Sequence, residues 1–133
     1  MPTNISWSLN VKVQSGPQIV ETNSIQVDAF DKIDIAVPDT TASPKATEID
    51  VQPGAAGKIK FLLIRSTAYG DKLEYKVHDA TTDKRFLNDV LLLTGKGGLD
   101  LLEDTGKPLD KLLVTNTTGA GVVLEIFVGR SAV

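Results

Sequence analysis

The chain reads as an all-β protein, an antiparallel β-sandwich of jelly-roll type with about eight to ten short strands. Three observations predict this. Apolar and polar residues alternate along most of it, as in Ile5-Ser6-Trp7-Ser8-Leu9-Asn10-Val11-Lys12-Val13, and a strand sends successive side chains to opposite faces. Clusters of Gly, Pro, Asn and Thr interrupt the alternation at roughly ten-residue intervals, the rhythm of strand and turn in sandwiches. No long segment carries the 3.6-residue period of an amphipathic helix. A closed barrel is the nearest competing architecture.

The elements follow from the same pattern. The first strand covers about Ile5 to Val13 and ends at Ser15-Gly16-Pro17, where Pro removes a ladder donor. A second strand starts near Gln18-Ile19-Val20, and Glu21-Thr22-Asn23-Ser24 reads as a turn or bulge before Ile25, Val27 and Ala29 resume one face. Asp31-Lys32 reads as a tight turn into Ile33-Asp34-Ile35-Ala36-Val37, which Pro38 stops. Asp39 to Pro44 holds small polar residues and is expected to be a surface loop between two sheets. Ala46 to Val51 alternates with Ile49 and Val51 inward, and Pro53-Gly54-Ala55-Ala56-Gly57 is a turn. Lys58 to Arg65 and Leu73 to His78, joined by Tyr69-Gly70-Asp71-Lys72, read as a hairpin. Val90-Leu91-Leu92-Leu93-Thr94 is a short strand before Gly95-Lys96-Gly97-Gly98, a run too rich in glycine to continue as a helix. Leu99 to Glu103 fits a strand or a helical turn. Lys111–Thr115 and Val122–Val128, with Asn116 to Gly121 between them, read as a final hairpin.

At 133 residues the chain forms one domain, residues 1–133, large enough to bury a core without staples. It has no cysteine, which excludes a disulfide framework and thiolate metal sites. The net charge is −3, and the fourteen basic residues are scattered, so no run neutralises consecutive phosphates and nucleic acid is not an expected partner. No apolar stretch approaches the roughly 20 residues of a membrane helix, and Met1-Pro2-Thr3-Asn4 shows no signal-peptide pattern.

Candidate chemistry is sparse. Gly95-Lys96-Gly97-Gly98 lacks the second Gly-Lys-Ser/Thr of a phosphate loop and reads as a turn. His78 is the sole histidine, and on a strand its neighbour Asp79 points the other way. A metal-dependent oxygenase wants several histidines on one metal, which this chain lacks. The acidic groups Asp28, Asp31, Asp34 and Asp100, Glu103, Asp104 do not match a calcium loop, although Asp100 to Asp104 before Gly106 comes nearer. Trp7 shares the apolar face with Leu9 and Val11 and is expected in the core, whereas Tyr69 at a turn is the aromatic expected outside. No residue is assigned a catalytic, cofactor-binding or metal-binding role.

Two runs are apolar on both faces, Phe61-Leu62-Leu63-Ile64 and Val90-Leu91-Leu92-Leu93, and the Val122–Val128 strand adds to them. A strand with two dry faces asks for a second cover, by a loop, by the facing sheet or by another subunit. The subunit reading selects Phe61, Leu62, Ile64, Leu91, Leu93 and Phe127 as interface residues of a closed homo-oligomer.

In organisation the chain resembles the small, cysteine-free β-sandwich structural proteins of tailed-phage virions: capsid cement or decoration proteins and small jelly-roll tail components. The shared features are the alternating first strand, the Gly and Thr turns, and the C-terminal strand pair ending in Gly129-Arg130-Ser131. The resemblance implies a non-enzymatic protein without cofactor, assembled as a trimer or other ring and bound to a major capsid or tail protein. It also implies a virion location after synthesis in the host cytoplasm. The short polar start Met1–Asn4 offers little arm for lacing to neighbours. The alternative is a module that binds carbohydrate or a cell-surface receptor through its loops, around Tyr69 and Asp100–Asp104.

Overall fold

The computed structural model describes residues 3–51, 58–103 and 107–131. Their order is β1 (Thr3–Lys12), β2 (Gln18–Val27), β3 (Ala29–Val37), β4 (Ala46–Asp50), β5 (Ile59–Ser66), β6 (Leu73–Val77), β7 (Arg85–Phe86), β8 (Leu91–Thr94), α1 (Gly95–Asp100), β9 (Lys111–Asn116) and β10 (Val122–Arg130). Two four-stranded antiparallel sheets form the body, one ordered β3-β10-β5-β8 and the other β4-β9-β6-β7. From β3 to β10 the chain changes sheet at every step except between β6 and β7. Eight strands wired this way across two sheets make a jelly roll.

That wiring corrects two local readings. Lys58–Arg65 with Leu73–His78, and Lys111–Thr115 with Val122–Val128, are not hairpins, because the members of each pair lie in opposite sheets. Turn chemistry marks where the chain reverses but not which sheet the next strand joins. The loop between Asp39 and Pro44 does pass from one sheet to the other, as expected.

The inward face of each strand fills the space between the sheets. Val122, Leu124, Ile126 and Val128 of β10 meet Leu112 and Val114 of β9 and Leu73, Tyr75 and Val77 of β6 in one buried cluster. Each such side chain, fully buried, contributes roughly 1.5–3 kcal/mol. A void lined by Ile64, Leu73, Tyr75, Leu87 and Leu124 holds about 10 Å³. That is no more than one water requires, so this part of the interior is packed core and not a ligand chamber.

The glycine run is helical, contrary to expectation: α1 begins at Gly95. Its glycines each cost up to about 1 kcal/mol against alanine. Burial of Leu99 within it, and of Leu102 just after it, offsets that cost. Asn116, also fully buried, has its amide satisfied. Its Nδ2 donates to the carbonyls of Val37 (3.1 Å) and Ala120 (2.8 Å), and its Oδ1 accepts from the Thr118 N–H and hydroxyl. It thereby ties the end of β3 to the β9–β10 crossing.

Outside the jelly roll stands a two-stranded ribbon, β1 paired antiparallel with β2 in unbroken register from Thr3↔Val27 to Lys12↔Gln18. Glu21 to Ser24 is therefore continuous strand and not a turn. Asp31-Lys32 is likewise strand. The chain bends instead at Asp28, whose N–H donates to the Arg130 carbonyl.

Candidate interaction surface

Side chains at odd positions of β1 share one face of the ribbon with Ile19, Glu21, Asn23, Ile25 and Val27 of β2. The opposite face is mostly polar, with Asn4, Ser6, Ser8, Asn10 and Lys12 beside Gln18, Thr22, Ser24 and Gln26, and Val20 as its one large apolar residue. At its root the apolar face rests on the outer side of the β3-β10-β5-β8 sheet. Gly129 permits this approach, because a Cβ there would lie 2.5 Å from Ile5 Cδ1 and 3.0 Å from Val27 Cγ1. Phe61 is buried beneath the root and meets Phe127 edge-on at 5.9 Å, while Phe30 stacks on Phe127 at 5.6 Å.

Beyond Trp7 the ribbon loses contact with any cover. All seventeen residues from Ser8 to Ser24 are exposed. They include Leu9 (43% exposed), Val11, Val13, Ile19 (63%) and Val20. The expectation that Trp7, Leu9 and Val11 enter the core is thus corrected. Trp7 is half-buried at the root, and the other two face outward on a projecting arm. The alternation identifies strand and face, but not that the strand leaves the body. The sign within reach is β2 itself. Without a turn at Glu21 to Ser24, ten residues pair with ten, a ribbon longer than the sheets it serves.

A groove runs alongside the root. Ile5, Ser6, Trp7 and Ser8 form one wall, and Phe61, Leu63, Leu92 and Phe127 line the sheet side. Lys32 and Glu125 border it, and Lys32 bonds to Asp34 at 3.3 Å and approaches Glu125 at 3.4 Å. Hydrogen bonding and charge from Asp34, followed by Glu125, hold the Lys32 ammonium above its usual pKa. Arg65 approaches Glu125 from the other side at 3.5 Å.

The six residues selected as interface from the sequence separate into three settings. Leu62 and Ile64 are sealed between the sheets, and Leu91 and Leu93 pack half-buried against that core. Phe61 and Phe127 belong to the outer face, under and beside the ribbon root. A polar substitution at Leu62 therefore tests the fold rather than an interface.

The remaining candidates are placed as follows. His78 ends β6 in a left-handed conformation (φ 69°), which turns it so that both ring nitrogens approach carboxylates. Nδ1 lies 2.9 Å from Asp110 Oδ1 and Nε2 lies 3.8 Å from Asp79 Oδ2. Asp79 does not point away from it, because the strand has already ended. The Asp79 carboxyl is held below its usual pKa, first by the Thr81 hydroxyl, then by the Thr81 N–H, with smaller help from Lys107 and His78. The exposed Tyr69 accepts a hydrogen bond from the Ser66 N–H, which fixes its ring to its own loop. Asp104, Gly106 and the expected turn Pro53 to Gly57 lie outside the described residues. Among the described residues no three acidic or histidine side chains gather as a metal site.

Fold and surface together define an all-β jelly roll bearing a projecting ribbon with an uncovered apolar face. No family model, curated protein or solved structure matches the chain.

Proposed function

We propose that the chain is a non-enzymatic structural assembly protein, a virion component of capsid-decoration or small-tail type. It associates with copies of itself and seats on a capsid or tail lattice. The observation that supports this reading most is the arm: seventeen consecutive exposed residues holding five large aliphatic side chains. Isolated two-stranded ribbons are at best marginally stable in water. Apolar patches of this kind mark association sites on soluble proteins. Jelly rolls serve as capsid domains and also as lectins, so the fold alone does not choose between assembly and sugar binding. The choice rests on concentration: five exposed aliphatic side chains gather on the ribbon, whereas Leu101 and Tyr69, in the loops of the alternative reading, stand in separate segments.

Solution mass tests the proposal. Light scattering of the wild-type chain is expected to give a multiple of 14.2 kDa. Replacing residues 8–22 by Asn-Gly closes the ribbon with a two-residue turn at the Trp7–Asn23 pair. That variant is expected to run as a single chain with an unchanged β-rich circular dichroism spectrum. A wild type that stays at single-chain mass, or a shortened variant that keeps the larger mass, overturns the reading.

A further inference from the structure

We infer that the occupant of the groove and of the free β1 edge is β1 of a second copy, antiparallel and related by a twofold axis at Leu9. This rests on the assembly reading above and specifies its seam. In the ribbon, β1 pairs only with β2, so its other edge presents unpaired N–H and C=O groups along ten residues. Natural edges are usually guarded by prolines, bulges or inward charges. The β2 edge has such a guard at its root, where Lys60 Nζ reaches the Gln26 carbonyl at 3.4 Å and Lys96 lies nearby. Along β1 the charged side chain is Lys12, at the far end of the strand, and the edge from Thr3 to Val11 carries none.

The register follows from the stripe. Its apolar residues are Ile5, Trp7, Leu9, Val11 and Val13, centred on Leu9. A twofold there sets Ile5 against the second copy's Val13, Trp7 against its Val11, and Leu9 against itself, so every apolar side chain meets another. A shift by two residues in either direction leaves an end of the stripe unmatched. The same twofold sets Lys12 opposite Ser6 and Asn10 opposite Ser8, and no charge along the seam meets its like.

The groove fits this arrangement independently. Its ribbon wall is Ile5 to Ser8, and those four residues pair with residues 10 to 13 of the second copy. Val11 and Val13 of that copy then lie over the floor of Leu63, Leu92 and Phe127. The seam draws on Ile5 to Val13 of each copy and on the six sheet residues that line the groove. The product is a four-stranded sheet, β2-β1-β1-β2, bridging two bodies.

Charge reversal at the axis tests the seam. Leu9→Lys and Leu9→Glu each place like charges face to face, and each is expected to run at half the wild-type mass or less with wild-type melting of the body. An equimolar mixture of the two is expected to restore the wild-type mass. The natural chain has no cysteine, so Leu9→Cys should form an intermolecular disulfide on oxidation, and Thr22→Cys on the polar face should not. If both charge variants keep the wild-type mass, or the mixture stays dissociated and Leu9→Cys fails to cross-link, the seam is overturned while assembly through another surface stands. A trimeric wild type likewise overturns the twofold and leaves the assembly reading intact. A single-chain wild type overturns both.

Discussion

Strands β1 and β10 carry the same alternation, yet only one of them is covered. In β10 the apolar residues Val122, Leu124, Ile126 and Val128 are all buried, sandwiched against a second sheet. In β1 the equivalent positions Leu9 and Val11 are each more than two-fifths exposed, although their pairing with β2 is regular throughout. Period-2 patterning reports that a strand has one face seeking cover. It does not report whether the chain's own fold supplies that cover. The body closes on itself, whereas the arm carries the same demand outside, and that contrast is what the proposed assembly role rests on.

The largest expected effect breaks the comparison from the body side. Leu124→Ala removes a fully buried side chain of the core and should destabilise the chain by about 2–5 kcal/mol. Leu9→Ala, the same chemical change on the arm, should alter the stability of the separated chain by less than about 0.5 kcal/mol. Chemical denaturation at concentrations low enough to dissociate any assembly measures both. Similar losses at the two sites would mean that Leu9 is covered within one chain.

Gly129→Val gives the intermediate effect and sharpens the boundary between the regions. A branched side chain there enters the space held by Ile5 Cδ1 and Val27 Cγ1, both movable side-chain atoms. The root should lift from the sheet at a cost of about 1–3 kcal/mol. Trp7, half-buried at the root, should report this by a red-shifted and more quenchable fluorescence. Unchanged Trp7 emission would show that the ribbon is not seated through Gly129.

These sites also show what can be read in advance. Where a strand alternates, its inward face follows from side-chain parity, so Ile49 and Val51 are identifiable as inward, whereas Leu62, in a run apolar on both faces, is not. The sandwich class follows from turn spacing. Sheet membership is not legible, since β5 and β6 are joined by ordinary turn residues but diverge into opposite sheets. The helix is hidden because burial of Leu99 and Leu102 overrides the low propensity of three glycines. Of the candidate surface, Phe61 and Phe127 stand out as apolar beyond the needs of a single face. The arm escapes a sequence reading because Asn23 and Glu21, on the same face as Trp7 and Leu9, imitate a turn in composition. Only the long-range register distinguishes such residues from a loop.

The smallest expected effect concerns the body alone and provides its pH signature. Asp39 joins the exit of β3 to the β9–β10 crossing, accepting hydrogen bonds from the Thr41 hydroxyl (2.6 Å) and the Gly119 N–H (3.0 Å). The Thr41 bond foremost, with smaller backbone contributions from Gly119 and Thr41, holds its carboxyl below the ordinary value of 3.8. A lowered folded pKa means that the unfolded chain binds the proton more readily. The stabilisation is therefore present above 3.8 and is lost as pH falls through the lower folded value. Asp39→Asn keeps an acceptor oxygen in place but removes the charge. Its melting temperature should lie slightly below wild type at neutral pH and fall less steeply in acid, so the two curves converge at the acid end. The arm takes no part in this, and the Asn-Gly shortened chain should show the same difference when Asp39→Asn is introduced into it. Curves that remain parallel down to the acid end would show that the Asp39 charge contributes nothing to holding the crossing against β3.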